Sequence, residues 1–301
     1  MILSLRQIKR RIKSVENTQK ITRAMQMVST AKFKRSEDML YRCRPYYLKL
    51  DSILQRLLLS LKPEELSAHP LLEERAEKRD LAVCVITSDS GLCSVYNNNI
   101  IRITENFIKK RAKENIKLIA VGRKGFSYFA KRGVKIAKSY VGLLGRYSPE
   151  TADKIAEDLV DMFLNKEADE VYIAHTHFDA ATRYHARVRK FLNIAAAPVG
   201  ARVQVMGGPA VKEGETEFIA EPSIEKILSD LIPRYISVKM RLILLDAFTS
   251  EHSARMVAMQ TATDNASELI DNLTLLRNKA RQASITGEVI QVATAAEALK
   301  G

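Results

Sequence analysis

A chain of 301 residues, 46% hydrophobic and 28% charged, has enough apolar side chains to bury its own core as one large domain or two small ones. With 12 Gly, 8 Pro and no Trp, collagen-like, low-complexity and disordered classes are excluded. The net charge of +13 is concentrated at one end, where residues 1–44 hold twelve Lys or Arg against Glu16, Glu37 and Asp38. So one-sided a block predicts an acidic partner, which by charge alone is nucleic acid, anionic lipid or an acidic protein surface.

The opening MILSLRQIKRRIK is too polar for the apolar core of a signal peptide and reads as mature protein. Leu5, Ile8, Ile12 and Val15 fall at spacings of three and four. The stripe is expected to resume with Ile21, Ala24, Met25, Val28 and Ala31, then Leu50, Ile53, Leu54, Leu57 and Leu61, giving a helix over residues 1–61 that kinks at Pro45. Residues 62–79, with Pro63, Pro70 and mixed charge, read as a linker.

From residue 80 the period changes. The apolar run 81–87 has the length of a buried parallel strand. A helix over 100–113, a strand over 116–121, a short helix over 126–132 and a strand over 134–140 follow. Ser148 is a fair N-cap for an amphipathic helix reaching about 165, and 170–175 reads as a further strand. Residues 185–222 suggest an antiparallel edge strand and loops. Alternating strands and helices over 80–222 imply a small doubly wound, Rossmann-like α/β domain.

Residues 223–301 are helical again. Ile224, Leu228, Leu231, Tyr235, Val238, Leu242, Leu245, Thr249, His252, Met256, Met259, Thr263, Ala266, Ile270 and Leu273 alternate by four and three. Two long terminal helices around a domain that returns the chain bury their stripes most simply as an antiparallel coiled coil. At 1.5 Å per residue, about 75 residues make a rod on the order of 110 Å long. The fold expected is therefore α/β, a long antiparallel coiled coil plus a doubly wound domain, and the rod implies a shaft, spacer or scaffold.

Little in the chain points to catalysis. No P-loop and no GxSxG elbow occur, and Gly122, Gly125 and Gly133 lack the Rossmann spacing and read as turns. His175, His177 and Asp179, with His185 downstream, raise a metal-hydrolase reading, outweighed by that of a polar strand end. Ser88–Val95 follows the first strand, where an α/β sheet can bind an anion. A tight turn, an Asn-capped helix and a half-buried Cys93 are the favoured reading. Cys43, Cys84 and Cys93 have no metal-ligand spacing and read as reduced thiols.

The ends carry the most specific pattern. Residues 12–28, IKSVENTQKITRAMQMV, and 250–259, SEHSARMVAM, running on to Asn278, Arg281, Gln282 and Thr286, closely resemble the terminal signatures of ATP synthase gamma subunits. That resemblance implies a central-stalk rotor subunit without catalytic residues, cofactor, metal or direct nucleotide binding. Its implied partners are the alpha and beta subunits, the epsilon subunit and the membrane c-ring, at the cytoplasmic face of a bacterial inner membrane. It also implies rotor–stator contacts at Lys20, Arg23 and Met25 and, on the opposing helix, at Arg255, Gln282 and Thr286. A basic coiled-coil protein binding nucleic acid is the alternative, but residues 1–44 offer only Phe33 and Tyr41 for stacking. The family usually has Asp-Arg-Gly-Leu-Cys-Gly-Gly where this chain has Asp89-Ser90-Gly91-Leu92-Cys93-Ser94-Val95, and Gly287 stands where a better helix former is common.

Overall fold

A computed structural model describes residues 4–61, 69–73, 75, 79–194 and 223–298. Most of the expected linker and the loops after 194 lie outside them. The chain divides into two compact units, Ala31–Ala254 and Met1–Thr30 with Arg255–Gly301. In order the elements are α1 (Leu5–Ser60), β1 (Asp80–Ile86), α2 (Tyr96–Lys110), β2 (Asn115–Val121), α3 (Arg123–Ala130), β3 (Ile136–Tyr140), α4 (Pro149–Leu164), β4 (Glu170–Ala180), β5 (Arg183–Leu192) and α5 (Ile224–Ala298).

In the larger unit the sheet order is β3-β2-β1-β4-β5. β1 pairs parallel with β2 and β4, β2 parallel with β3, and β5 returns antiparallel along β4. The central strand DLAVCVI is apolar because both its faces are covered. Ala82, Cys84 and Ile86 point to a core with α4 and with the parts of α1 and α5 in this unit. Val83 and Val85 point the other way, to α2 and α3. This is the doubly wound arrangement expected.

Local chemistry sets the boundaries. The Ser148 hydroxyl accepts from Thr151 N–H at 3.3 Å, with Pro149 in the first turn of α4. Gly122 opens α3 at φ +91°, and a Cβ there would sit 2.1 Å from the Thr87 carbonyl oxygen. β4 runs on to Ala180, beyond the expected end at 175, because β5 pairs with it from Val171 to Ala180. α1 continues through Pro45, and α5 through Pro233. From Leu244 to Ala254 every residue of α5 is buried, as a helix enclosed on all sides must be.

In the smaller unit α1 and α5 run antiparallel. Gln19 bonds Ser267 at 2.7 Å, Thr22 meets Thr263 at 2.8 Å, and Gln26 bonds Gln260. Ile8 and Ile12 pack with Leu273, flanked by Val15 and Ala280. None of the alternating α5 positions from Ile224 to Leu273 is exposed. The expected α1 stripe is corrected, however. Ile21 and Val28 are 60% and 57% exposed, and Ala24 and Ala31 also face outward, while Thr22 and Ser29 are buried. Continuing Ile8, Ile12 and Val15 by fours and threes leads to Gln19, Thr22, Gln26 and Ser29, so the seam is polar there.

Candidate functional site

Two places concentrate charged or exposed chemistry: the outer surface of the α1–α5 pair and a polar cluster beneath β4 and β5. On the pair, Lys20 and Arg23 are exposed on α1 among Ile21, Met27 and Val28, an apolar surface with a basic rim. Met25 is half-buried. Gln282 and Thr286 are exposed far along α5. The register set by Gln19–Ser267 and Gln26–Gln260 places Leu5 opposite residue 281, so among the described residues the last turns of α5 have no α1 partner. That is why Ile285, Val289, Ile290 and Val292 are 53–69% exposed. Arg255 is buried at 8% exposure. The six expected contact residues are thus strung along the helices in separate places.

Beneath the sheet edge, the alternation of β4 turns His175 and His177 to the same face, towards Asp246 of α5. Asp246, 2% exposed, accepts from Arg44 at 3.2 Å and lies 2.7 Å from His177 Nδ1 and 3.9 Å from Arg187. Arg187 Nε donates to His175 Nε2 at 3.3 Å, and its terminal nitrogen is 2.9 Å from His177 Nδ1. Burial, then the neighbouring Arg187, hold the His175 pKa well below its ordinary value, so that ring is neutral. Burial also pulls Arg187 down to about 10, which leaves it charged at neutral pH.

The donors of His175, His177 and Asp246 lie within 4.8 Å of one another, a spacing a metal could bridge. Here the Arg187 guanidinium stands against both imidazoles, in the space a cation needs, and Arg44 adds a second positive charge. The cluster is an internal ion-pair network with Arg187 as its cation. Asp179 stands at its edge, its 40% exposed carboxylate 3.5 Å from His177 Nε2 and paired with the exposed His185 at 2.9 Å. Sequence reasoning found the histidines and missed Arg44, Arg187 and Asp246. The available signal was Asp246 as a lone acid in the apolar run LILLDAF.

The Ser88–Val95 loop also differs from expectation. Val95 is the N-cap of α2 and makes no side-chain cap bond. Asn97, one turn in, folds back instead, its Oδ1 accepting from Ser88 N–H at 3.0 Å and its amide donating to Ser88 Oγ at 2.7 Å. Cys93 is 2% exposed, fully rather than half buried. Leu92 and Ser94 adopt φ of +62° and +51°. Asp89 accepts the backbone N–H groups of Arg123, Gly142 and Leu144 at 2.7–2.9 Å. Burial raises its pKa, but these three bonds outweigh that and hold the carboxyl below its usual range. Asp89 thereby ties together the loops after β1, β2 and β3.

Fold and surface together define a class: a doubly wound domain inserted between two long terminal helices, whose polar clusters are engaged with one another. The comparisons give the family. The family model described as ATP synthase matches residues 4–299. ATP synthase gamma chains of Anaeromyxobacter sp. (strain Fw109-5) and Syntrophobacter fumaroxidans are 40% and 38% identical over 299 residues, covering 99% of each chain. Among solved structures, the chain resembles one from the Euglena gracilis mitochondrial ATP synthase (OSCP/F1/c-ring, rotational state 3), with a TM-score of 0.65 and 16% identity over 98% of this chain and 94% of that one. It also resembles one from the Tetrahymena thermophila central stalk and c-ring, with a TM-score of 0.60 and 23% identity over 80% and 99%. The chain belongs to the ATP synthase gamma chain family. None of its described helices is long and apolar enough to cross a membrane.

Proposed function

We propose that this chain is the central-stalk rotor subunit of an F-type ATP synthase. It transmits the proton-driven rotation of the membrane ring to the alpha and beta subunits, which carry out ATP synthesis. In this reading it is a non-catalytic subunit, peripheral at the cytoplasmic face of a bacterial inner membrane. Residues 1–61 and 223–301 form the shaft, 62–79 a linker, and 80–222 the domain that meets epsilon and the c-ring. The observation that carries the reading is the 40% identity to gamma chains over 99% of both sequences. The solved structures it resembles have titles that name the rotor, the central stalk and the c-ring.

The contacts follow from chemistry. A shaft shifts a neighbour's equilibrium only by interacting differently with its states. Exposed Lys20 and Arg23 beside apolar Ile21 and Val28 suit acidic loops with an apolar sleeve behind them, and Arg can hold a carboxylate in bidentate fashion. Met25, Arg255, Gln282 and Thr286 complete the set. Of the six, Arg255 is the one whose guanidinium must leave buried surroundings to make such a contact. The test is reconstitution of an alpha–beta ring with and without this chain. Hydrolysis stimulated by the chain, and weakened by Lys20→Ala with Arg23→Ala, is expected. Equal rates with and without the chain would refute the rotor role.

A further inference from the structure

A cavity of about 250 Å³ opens beside the ion-pair network, walled by α1, α5, β4 and β5 in the larger unit. Its charges do not balance. Asp246 is committed to Arg44 and His177 and Lys190 is paired with Glu170 at 2.8 Å, while Asp51, which accepts the neutral Tyr235 hydroxyl at 2.8 Å, keeps its negative charge. Lys239 and Arg189 remain, and among the described residues neither has a carboxylate within ion-pair distance. The polar partner of Lys239 is the Phe191 carbonyl oxygen at 3.4 Å, and its ammonium lies 5.1 Å and 5.4 Å from the ring centres of Phe191 and Tyr235.

An ammonium held among aromatic rings without a counter-ion is costly, and an incoming anion relieves that cost. Burial already draws the Lys239 pKa down to about 8, against the opposing pull of Asp51. Arg187 and Arg189 stand two residues apart on β5, which brings both guanidinium groups to the same face of the strand. The cavity is smaller than the roughly 300–1,000 Å³ that accommodates drug-sized ligands. It fits an ion or a single headgroup rather than a nucleotide. Lys239, Arg187 and Arg189 against the single remaining carboxylate, Asp51, leave an excess of two positive charges, which favours a doubly charged tetrahedral oxyanion over a lone carboxylate. We propose that this cavity binds a phosphate group, held by Lys239 of α5 and by Arg187 and Arg189 of β5.

The test is thermal unfolding of the full chain at neutral pH, titrated with sodium phosphate against sodium chloride at matched ionic strength. Phosphate is expected to raise the midpoint by several degrees, saturably, with the shift lost in Lys239→Met. In Arg189→Gln, a surface change that leaves the fold intact, phosphate is expected to bind at least tenfold more weakly. An unchanged midpoint in the unaltered chain, or an equal shift in Arg189→Gln, overturns the proposal. Sedimentation with phosphatidylglycerol or phosphatidylcholine vesicles separates the two sources of a phosphate group. Binding to the anionic vesicles that inorganic phosphate displaces assigns a lipid headgroup, and the thermal shift without such binding assigns the free ion. The outcome leaves the rotor reading untouched, because that reading rests on other residues.

Discussion

Replacing Asp246 by Asn tests whether the cluster beneath β4 and β5 is a structural ion-pair network. The substitution keeps shape and most hydrogen-bonding capacity but removes the carboxylate shared by Arg44, Arg187 and His177. Stranding a buried partner in this way costs about 3–5 kcal/mol. Arg44 and Arg187 retain 19% and 18% side-chain exposure, so water recovers part of their solvation and the lower end applies, about 3 kcal/mol. For a unit of this size each kcal/mol moves the melting midpoint by about 2–4 °C, giving a fall of about 6–12 °C. Urea unfolding followed by far-ultraviolet dichroism reads the same loss as a lower midpoint with an unchanged slope. An Asp246→Asn chain that unfolds at the parental midpoint refutes the reasoning. If the loss is electrostatic, Arg44→Met in the same chain restores part of it.

Ser94 holds φ +51° where the family commonly has Gly, so Ser94→Gly is expected to stabilise the chain by about 0.5–1 kcal/mol in urea unfolding. Gly145 has φ +65°, and a Cβ there would lie 2.6 Å from the ring of buried His252. Gly145→Ala therefore combines left-handed strain with overpacking and is expected to cost about 2–4 kcal/mol by the same assay. The folded pKa of Lys239, about 8, lies below its ordinary 10.5, so between these values the unfolded chain binds more protons and stability rises with pH. In phosphate-free buffer the rise from pH 8 to 10 is at most about 3 kcal/mol, and Lys239→Met removes it along with the penalty below pH 8. Urea midpoints of the two chains that stay parallel across that window would contradict this.

What the sequence revealed depended on whether burial was apolar. β1 and the α5 seam from Ile224 to Leu245 are written mostly in Leu, Val and Ile, so their periods could be read directly. The second half of β4 is buried as His175, Thr176 and His177, polar residues whose partner Asp246 is far along the chain, and it looks like a loop. On α1 the apolar residues misled. Ile21 and Val28 face outward, while the seam is carried by Gln19, Thr22 and Gln26 through bonds to the opposing helix, with Ser29 buried in the same row. The Ser88–Val95 turn was visible, but the backward reach of Asn97 was not, because a side chain's choice between capping and folding back is settled by tertiary packing.

The polar seam also governs how the two helices can part. The hydroxyls of Thr22, Thr263 and Ser267 each have an acceptor on their own helix, the carbonyls of Gln19, Met259 and Thr263 at 2.8–3.1 Å. When the helices separate, these hydroxyls keep their own backbone acceptors, and the amides of Gln19 and Gln26 turn to water. A leucine seam would have to surrender its apolar contacts to water at every such step. This stretch can therefore breathe and rejoin in the same register, behaving less like a weld than like a zip fastener.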